Sequence, residues 1–223
     1  MTVSNLLVVK EKALTIIDIG RSDYMDAYYI QKDMVEKRKL DIVSDALILT
    51  EHNPVFTVGR TGSKKNLLVG DRYLKKRRLE LIETDRGGDI TFHGPGQLLL
   101  YPILNLKNQR KDVHLYIRKL EKVMIDFLYG YDISGKPIAG KTGVWIDNTQ
   151  KIGSIGVAFS KWITYHGLSI NINTPLSYFK MIKPCGLNLC DVVSISSVLK
   201  KEVDINTAKK HLVASFKRIF KYE

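Results

Sequence analysis

Short strand patterns follow one another in groups along this chain, and helix patterns separate these groups instead of alternating with single strands. Residues 142–146 and 151–159 indicate a hairpin, and a further strand at 166–173 follows without a helix before it. Strands joined by short turns pair antiparallel, whereas parallel pairs need a long crossover. The grouping therefore predicts an α+β fold with a mixed, mostly antiparallel sheet and flanking helices.

The clearest helix pattern covers residues 112–129, where apolar side chains recur at helical spacing. Further helices are predicted over 22–40 and 204–220. The 223 residues contain no repeat, low-complexity stretch or linker, so we predict a single domain over 1–223. The remaining predicted elements are strands at 13–19, 46–50, 55–58, 79–83 and 97–106, and the last of these is bent or ends near Pro102.

The composition and the motifs of the chain indicate where the protein is located and whether it needs a cofactor. The chain has only two cysteines, Cys185 and Cys190, and a low cysteine count favours a reducing compartment, so we predict a cytoplasmic protein. Residues 1–7 lack a secretory pattern, and no apolar run reaches the ~18–20 residues of a membrane span, so no membrane partner is expected. No metal-ligand spacing or phosphate-loop motif is present, so no metal and no cofactor are predicted.

The charge balance favours an acidic partner. Lys and Arg number 35 against 23 Asp and Glu, which gives a formal net charge of +12. The strongest basic run spans residues 72–78, and a second contains Lys107, Arg110 and Lys111. A nucleic-acid-binding module is the alternative from another class. Because aromatic residues are not interleaved with these runs in an RNA-binding pattern, no nucleic acid is expected.

Residues 86–97 form the segment richest in glycine, with four glycines and a proline. Such a loop can pass close to a ligand and present backbone N–H groups to a carbonyl oxygen or a phosphate. Arg86 and His93 add polar contacts in the same loop. We predict a ligand site here; the alternative is a tight connection between two strands.

Three further clusters carry candidate chemistry. In the segment 151–156, strand alternation predicts that Lys151, Gly153 and Ile155 share a face, so Lys151 is either desolvated in a pocket or solvated at a hairpin end. Cys185 lies between Pro184 and Gly186 on a predicted sharp turn, where it either presents its sulfur to a pocket or packs as a small hydrophobe. His166 is either a catalytic residue or a satisfied core histidine.

Together and in this order, these segments resemble the lipoyl(octanoyl) transferase family, the octanoyl-[acyl-carrier-protein]:protein N-octanoyltransferases. Each motif is weak alone, but the ordered set is specific. Gly153 stands where the family usually has alanine, and Phe92 where it usually has tyrosine. The resemblance covers residues 51–190, through the segments 51–60, 86–97, 101–102, 151–156, 165–168, 171–173 and 184–186.

The resemblance implies the fold of the biotin and lipoate protein ligase catalytic domain. It also implies the first step of lipoate biosynthesis, in which an octanoyl group moves from octanoyl-acyl carrier protein to a lysine of a lipoyl domain. The acceptors would be 2-oxoacid dehydrogenases and the glycine cleavage H protein. The alternative enzyme is an ATP-dependent lipoate or biotin ligase of the same fold, which would not need Cys185.

The resemblance further assigns site residues. Cys185 would form a thioester intermediate, and Lys151 would lower the pKa of its thiol. A thiol with a pKa near 8.5 is only a few per cent ionised at pH 7, so a nearby ammonium serves the chemistry. The acyl group would lie against Arg86, Gly87, Gly88, Asp89, Ile90, Thr91, Phe92, His93, Ser154, Ile155, Gly156, Gly167, Leu168 and Ser169.

Overall fold

Two β-sheets and the helices around them make up the described part of the chain, residues 13–183 and 191–223 of a computed structural model. The strands are β1 (Leu14–Ser22), β2 (Asp45–His52), β3 (Val55–Val58), β4 (Glu80–Glu83), β5 (Ile90–His93), β6 (Gln97–Ile103), β7 (Lys136–Ile138), β8 (Lys141–Trp145), β9 (Gln150–Ser160), β10 (Ile163–Asn171) and β11 (Asp191–Val192). The helices are α1 (Tyr24–Lys39), α2 (Asp71–Arg77), α3 (Val113–Tyr129), α4 (Ile195–Leu199) and α5 (Ile205–Phe220), with 3-10 turns at Lys64–Asn66, Leu106–Asn108 and Leu176–Met181.

The larger sheet has the strand order β1-β2-β6-β10-β9-β8-β7, and β11 pairs with β9. The β1–β2 and β9–β11 pairs are parallel, and the other pairs in this sheet are antiparallel. The smaller sheet has the order β4-β3-β5. The prediction of an α+β fold with a mixed, mostly antiparallel sheet is therefore confirmed.

Helices cover both faces of the larger sheet. On one face, Leu98 and Leu100 of β6 belong to the same buried cluster as Leu120 of α3 and Phe216 of α5. On the other face, the alternate β6 residue Leu99 packs in a cluster with α1. Alternate side chains of β6 point to opposite faces of the sheet. This one apolar strand therefore contributes buried side chains to the packing on both faces.

The α3 helix shows why the sequence forms these layers. Its N-cap, Asp112, accepts a hydrogen bond from the Leu115 N–H at 2.9 Å, which satisfies one backbone donor that the first turn leaves unpaired. Tyr116, Leu120 and Val123 are buried at helical spacing, and each such side chain contributes about 1.5–3 kcal/mol when fully buried. No helix of the described residues is long and apolar enough to cross a membrane.

One local prediction needs correction, and a second is confirmed. Residues 90–93 lie inside the glycine-rich segment but form β5, because they pair with β3 in the smaller sheet. The prediction that the strand over 97–106 is bent or ends near Pro102 is confirmed, because β6 ends at Ile103 and a 3-10 turn follows at Leu106–Asn108. The smaller sheet has its own apolar cluster, which includes Phe56, Phe92 and Leu74 of α2.

Candidate functional site

A cavity of about 400 Å³ lies between the two sheets. The larger sheet lines it with β6, β9 and β10, and the smaller sheet lines it with β5 and the glycine-rich loop before that strand. Most residues that the sequence predicted for the site line this cavity, namely Arg86, Gly88, Asp89, Ile90, Thr91, His93, Lys151, Ser154, Ile155, Gly156, Gly167, Leu168 and Ser169.

Gly87 and Phe92 are predicted site residues that lie outside the cavity lining. The Gly87 N–H donates to the Val157 carbonyl at 2.9 Å, so this backbone donor is already engaged within the protein. Phe92 is fully buried in the smaller sheet's apolar cluster, where its ring stacks on Tyr178 at 4.3 Å between centroids. The reason is strand alternation: the next residue, His93, faces the cavity, so Phe92 points away from it.

Lys151 faces the cavity because β9 carries a one-residue bulge. Two consecutive residues of β8 pair with Gly153 and Lys151, so Ile152 is an extra residue on β9. A Cβ on Gly153 would lie 2.7 Å from the sulfur of Met124, so Gly153 faces α3 while Lys151 lines the cavity. The prediction that Lys151, Gly153 and Ile155 share a face is therefore wrong.

Both departures from the family pattern lie outside the cavity lining. Gly153 faces the helix layer, and Phe92 packs within the smaller sheet. Neither difference therefore changes the side chains that line the cavity.

The Lys151 side chain is buried, with 8% of its surface exposed. Its Nζ lies 5.3 Å from the centre of the Trp145 ring, close enough for a cation–π contact. The lysine side chain crosses Gly143, which has a φ of +121°, and a Cβ there would lie 2.7 Å from the lysine Cε. No carboxylate of the described residues lies within ion-pairing distance of the Lys151 amine. The structure thus places a buried amine at the cavity without a carboxylate partner in its described surroundings.

Cys185 and Cys190 lie outside the described residues, so the predicted pairing of Cys185 with Lys151 remains a prediction. The chain resumes at Asp191, and Val192 pairs with Lys151 in the β9–β11 ladder. The next residue, Val193, donates its N–H to the Lys151 carbonyl at 2.9 Å.

Arg86 organises the glycine-rich loop from within. Its guanidinium donates to the Thr57 carbonyl at 2.7 Å, to the Thr57 hydroxyl at 2.8 Å and to the Asp89 carbonyl at 2.8 Å. A further N–H donates to the Gly87 carbonyl at 3.0 Å. The planar guanidinium therefore ties the loop to β3, and we expect it to shape the cavity wall.

We expect Arg86→Lys to lower the free energy of unfolding by about 3 kcal/mol, because a compact ammonium cannot reach Thr57 and the loop carbonyls together and leaves buried acceptors unpaired. Urea denaturation followed by circular dichroism measures this. Arg72→Lys on the exposed face of α2 is the matched control, with an expected change within about 0.5 kcal/mol. Equal effects of the two substitutions would contradict this role.

Buried histidines surround the inner part of the site, and burial favours their neutral forms. Burial lowers the pKa of His52 to about 4, although the Ser22 carbonyl opposes this. Burial also holds the pKa of His93 well below its usual range, and it lowers the pKa of His166 against the opposing effect of Asp85. These rings therefore act near neutral pH as hydrogen-bonding and packing groups and do not carry charge.

A hydrogen-bond chain connects His93 with the strand next to Lys151. The His93 Nδ1–H donates to the Gln97 side-chain oxygen at 2.6 Å, and the Gln97 amide donates to the Asn171 side-chain oxygen at 2.8 Å. The Asn171 amide donates to the Val193 carbonyl at 3.0 Å. This chain fixes the tautomer of His93, so its Nε2 is an acceptor.

Some residues that line the cavity were not predicted from the sequence. Trp145 and Tyr24 belong to ordinary strand and helix patterns, so no local signal marks them. Tyr101 and Asn171 lie within segments that carry the family resemblance, which is the signal that could have identified them.

The chain matches the family model of the lipoyl protein ligase A/B catalytic domain over residues 23–217. It is 42% identical over 205 residues to the octanoyltransferase of Solibacter usitatus, with 92% of each chain covered. It is 43% identical over 202 residues to the octanoyltransferase of Rubrobacter xylanophilus, with 90% of each chain covered.

Solved structures show the same fold at low sequence identity. A bipartite lipoate protein ligase from Thermoplasma acidophilum superposes with a TM-score of 0.70 at 14% identity, covering 96% of this chain and 85% of that one. A biotin protein ligase from Aquifex aeolicus, in complex with biotin and ATP, gives a TM-score of 0.58 at 14% identity, covering 93% and 70%. The predicted likeness to the biotin and lipoate protein ligase catalytic domain is confirmed.

Proposed function

This chain belongs to the octanoyltransferase family, which shares the lipoyl protein ligase A/B catalytic domain, and we propose that it transfers an octanoyl group from octanoyl-acyl carrier protein to a lysine of a lipoyl domain. The reaction is an acyl transfer and is the first step of protein lipoylation. Acceptors of this kind are the lipoyl domains of 2-oxoacid dehydrogenases and the glycine cleavage H protein.

The observation that carries the proposal is the buried Lys151 amine in a cavity that is otherwise suited to an alkyl chain. Leu99, Ile155 and Leu168 give the cavity apolar surface, and each buried methylene of a bound chain contributes about 0.8 kcal/mol. An acyl chain there would leave its carbonyl end toward Lys151, where Val192 marks the strand that follows the Cys185 segment.

The chemistry proceeds in two acyl transfers, a thioester exchange and then the aminolysis of a thioester. In the first, the Cys185 thiolate attacks the octanoyl carbonyl, the new carbon–sulfur bond forms, and the phosphopantetheine thiolate leaves and takes up a proton. In the second, the acceptor lysine amine attacks the Cys185 thioester, an amide forms, and the Cys185 thiolate is released as the amine loses its proton. Both steps exchange one acyl bond for another, so neither requires ATP.

Lys151 supplies charge and proton transfer in this scheme. Its ammonium favours the thiolate form of Cys185, because an opposite charge within ~4–6 Å lowers the pKa of a thiol. The same group returns a proton to the leaving sulfur in the first step and accepts one from the acceptor amine in the second.

The basic surface of α2 supports a carrier-type partner. Its Lys and Arg side chains are exposed, and none forms an ion pair with a carboxylate of the described residues: Arg72, Lys75, Lys76 and Arg77, followed by Arg78. Acidic carrier proteins and lipoyl domains complement such a surface, and the attraction accelerates their encounter with the enzyme.

Incubation of the enzyme with octanoyl-carrier protein tests the proposal. Intact-protein mass spectrometry is expected to show an added mass of about 126 Da, which disappears when an apo lipoyl domain is supplied and gains the same mass. The ATP-dependent ligase alternative predicts ATP–pyrophosphate exchange with free octanoate, and we expect none. Exchange without transfer from the carrier would replace this proposal with the ligase.

A further inference from the structure

The inner end of the cavity lies far from Lys151. Lys151 and Gly156 are five residues apart on β9, roughly 15 Å along the strand, and Gly156 pairs with Gly167 of β10. An extended octanoyl chain of seven carbon–carbon bonds of about 1.5 Å is shorter than this distance. A chain that enters with its carbonyl near Lys151 therefore points its methyl end toward the level of Gly156, Tyr101 and His166.

Tyr24 of α1 closes this inner end and separates the cavity from a second space. That space is a surface groove of about 420 Å³ lined by residues that include Thr84, Asp85 and Tyr28. Tyr24 lines both spaces. Its ring stacks near His93 at 6.2 Å on the cavity side, and its hydroxyl hydrogen-bonds to the Thr84 hydroxyl at 2.9 Å on the groove side.

Tyr24 and its neighbours form a partition between the cavity and the groove, and a second contact crosses this partition beside Tyr24. His166 lines the cavity, and its Nε2 hydrogen-bonds to Asp85 of the groove at 2.7 Å. Burial opposes the ionisation of Asp85, but hydrogen bonds from His166, Tyr165 and Tyr28 hold the pKa of this carboxyl below its usual range. A charged carboxylate therefore braces the partition through hydrogen bonds with three side chains.

We propose that Tyr24 is a specificity-determining residue and that its ring limits the length of the acyl chain. Longer chains clash with the ring, and such repulsion discriminates more sharply than the loss of single methylene contacts does. The inference rests on the proposed function, because it concerns the acyl group of that same reaction. Removal of the ring joins the cavity to the groove behind it, so that longer chains gain a path outward.

The test compares octanoyl-, dodecanoyl- and tetradecanoyl-carrier protein as donors, with the rate of acyl adduct formation measured by intact-protein mass spectrometry. In Tyr24→Ala we expect the ratio of tetradecanoyl to octanoyl rates to rise about tenfold or more over wild type. Tyr24→Leu, which retains more buried volume, is expected to show a smaller rise in the same direction and covers the case in which Tyr24→Ala does not fold.

Two matched variants distinguish the loss of the Tyr24 ring from the general effects of shortening a side chain in the cavity. Tyr24→Phe removes only the hydroxyl contact with Thr84 and is expected to keep the wild-type preference for chain length. Leu99→Ala enlarges the cavity at β6 while leaving the Tyr24 ring in place, and it is expected to slow octanoyl transfer without favouring tetradecanoyl. An unchanged ratio in folded Tyr24→Ala or Tyr24→Leu overturns the inference. Wild-type enzyme that forms no adduct with any donor overturns the proposed function instead.

Discussion

Cys185→Ser is expected to abolish the octanoyl adduct and to reduce octanoyl transfer by at least about 10⁴-fold, because the serine hydroxyl is not ionised near pH 7 and gives a far weaker nucleophile. Intact mass spectrometry after incubation with octanoyl-carrier protein measures the adduct, and a coupled assay with an apo lipoyl domain measures transfer. Both the adduct and the transfer depend on the Cys185 sulfur, so we expect the variant to lose both together.

Cys190→Ser is the matched control, since it removes the other thiol of the chain and is expected to leave both adduct and transfer in place. A Cys185→Ser protein that still gains the octanoyl mass would assign the intermediate to another residue. Transfer that persists without any adduct would indicate direct attack by the acceptor lysine on the donor thioester.

Lys151→Met is expected to reduce transfer by roughly 10²–10⁴-fold, because it removes the buried ammonium while keeping an unbranched chain over Gly143. The same variant is expected to move the midpoint pH for alkylation of Cys185 by iodoacetamide upward by about 1–3 pH units. This second readout depends on charge beside the thiol, so a loss of packing alone does not produce it.

Lys141→Met provides the control for this substitution. Lys141 also lines the cavity, and its Nζ lies 5.2 Å from the centre of the same Trp145 ring, on the opposite member of the β8–β9 pair. We expect less than a tenfold effect on transfer and no movement of the alkylation midpoint. Equal alkylation profiles for wild type and Lys151→Met would remove Lys151 from the thiolate-stabilising role.

The grouping of strands was sufficient to predict the fold class, and the ordered motifs of the family resemblance predicted about half of the residues that line the cavity. The glycine-rich loop and the 151–156 segment meet in one cavity as expected from the resemblance. Alternation could not predict which way Lys151 points, because the extra residue on β9 is visible only in its pairing with β8. Phe92 lies outside the cavity lining because its ring packs among the apolar side chains of the smaller sheet, which local spacing does not reveal.

Tyr24 shows a second limit of prediction from the sequence. Its helix packs against strands that follow much later in the chain, and its hydroxyl meets Thr84, which is 60 residues away. The helix pattern over 22–40 does not say which cavity this tyrosine closes. Contacts between distant segments depend on how the layers pack, so local spacing does not encode them.

The extra residue Ile152 makes the site vulnerable to a single-codon deletion during evolution. Loss of that residue would restore simple alternation in β9 and turn Lys151 toward α3, and it would also remove one fully buried side chain from the main apolar cluster. A lineage would therefore lose the position of the lysine and part of the core packing in one event. Alignments of distant relatives that open a gap here would pair the lysine with a residue on the wrong side of the sheet.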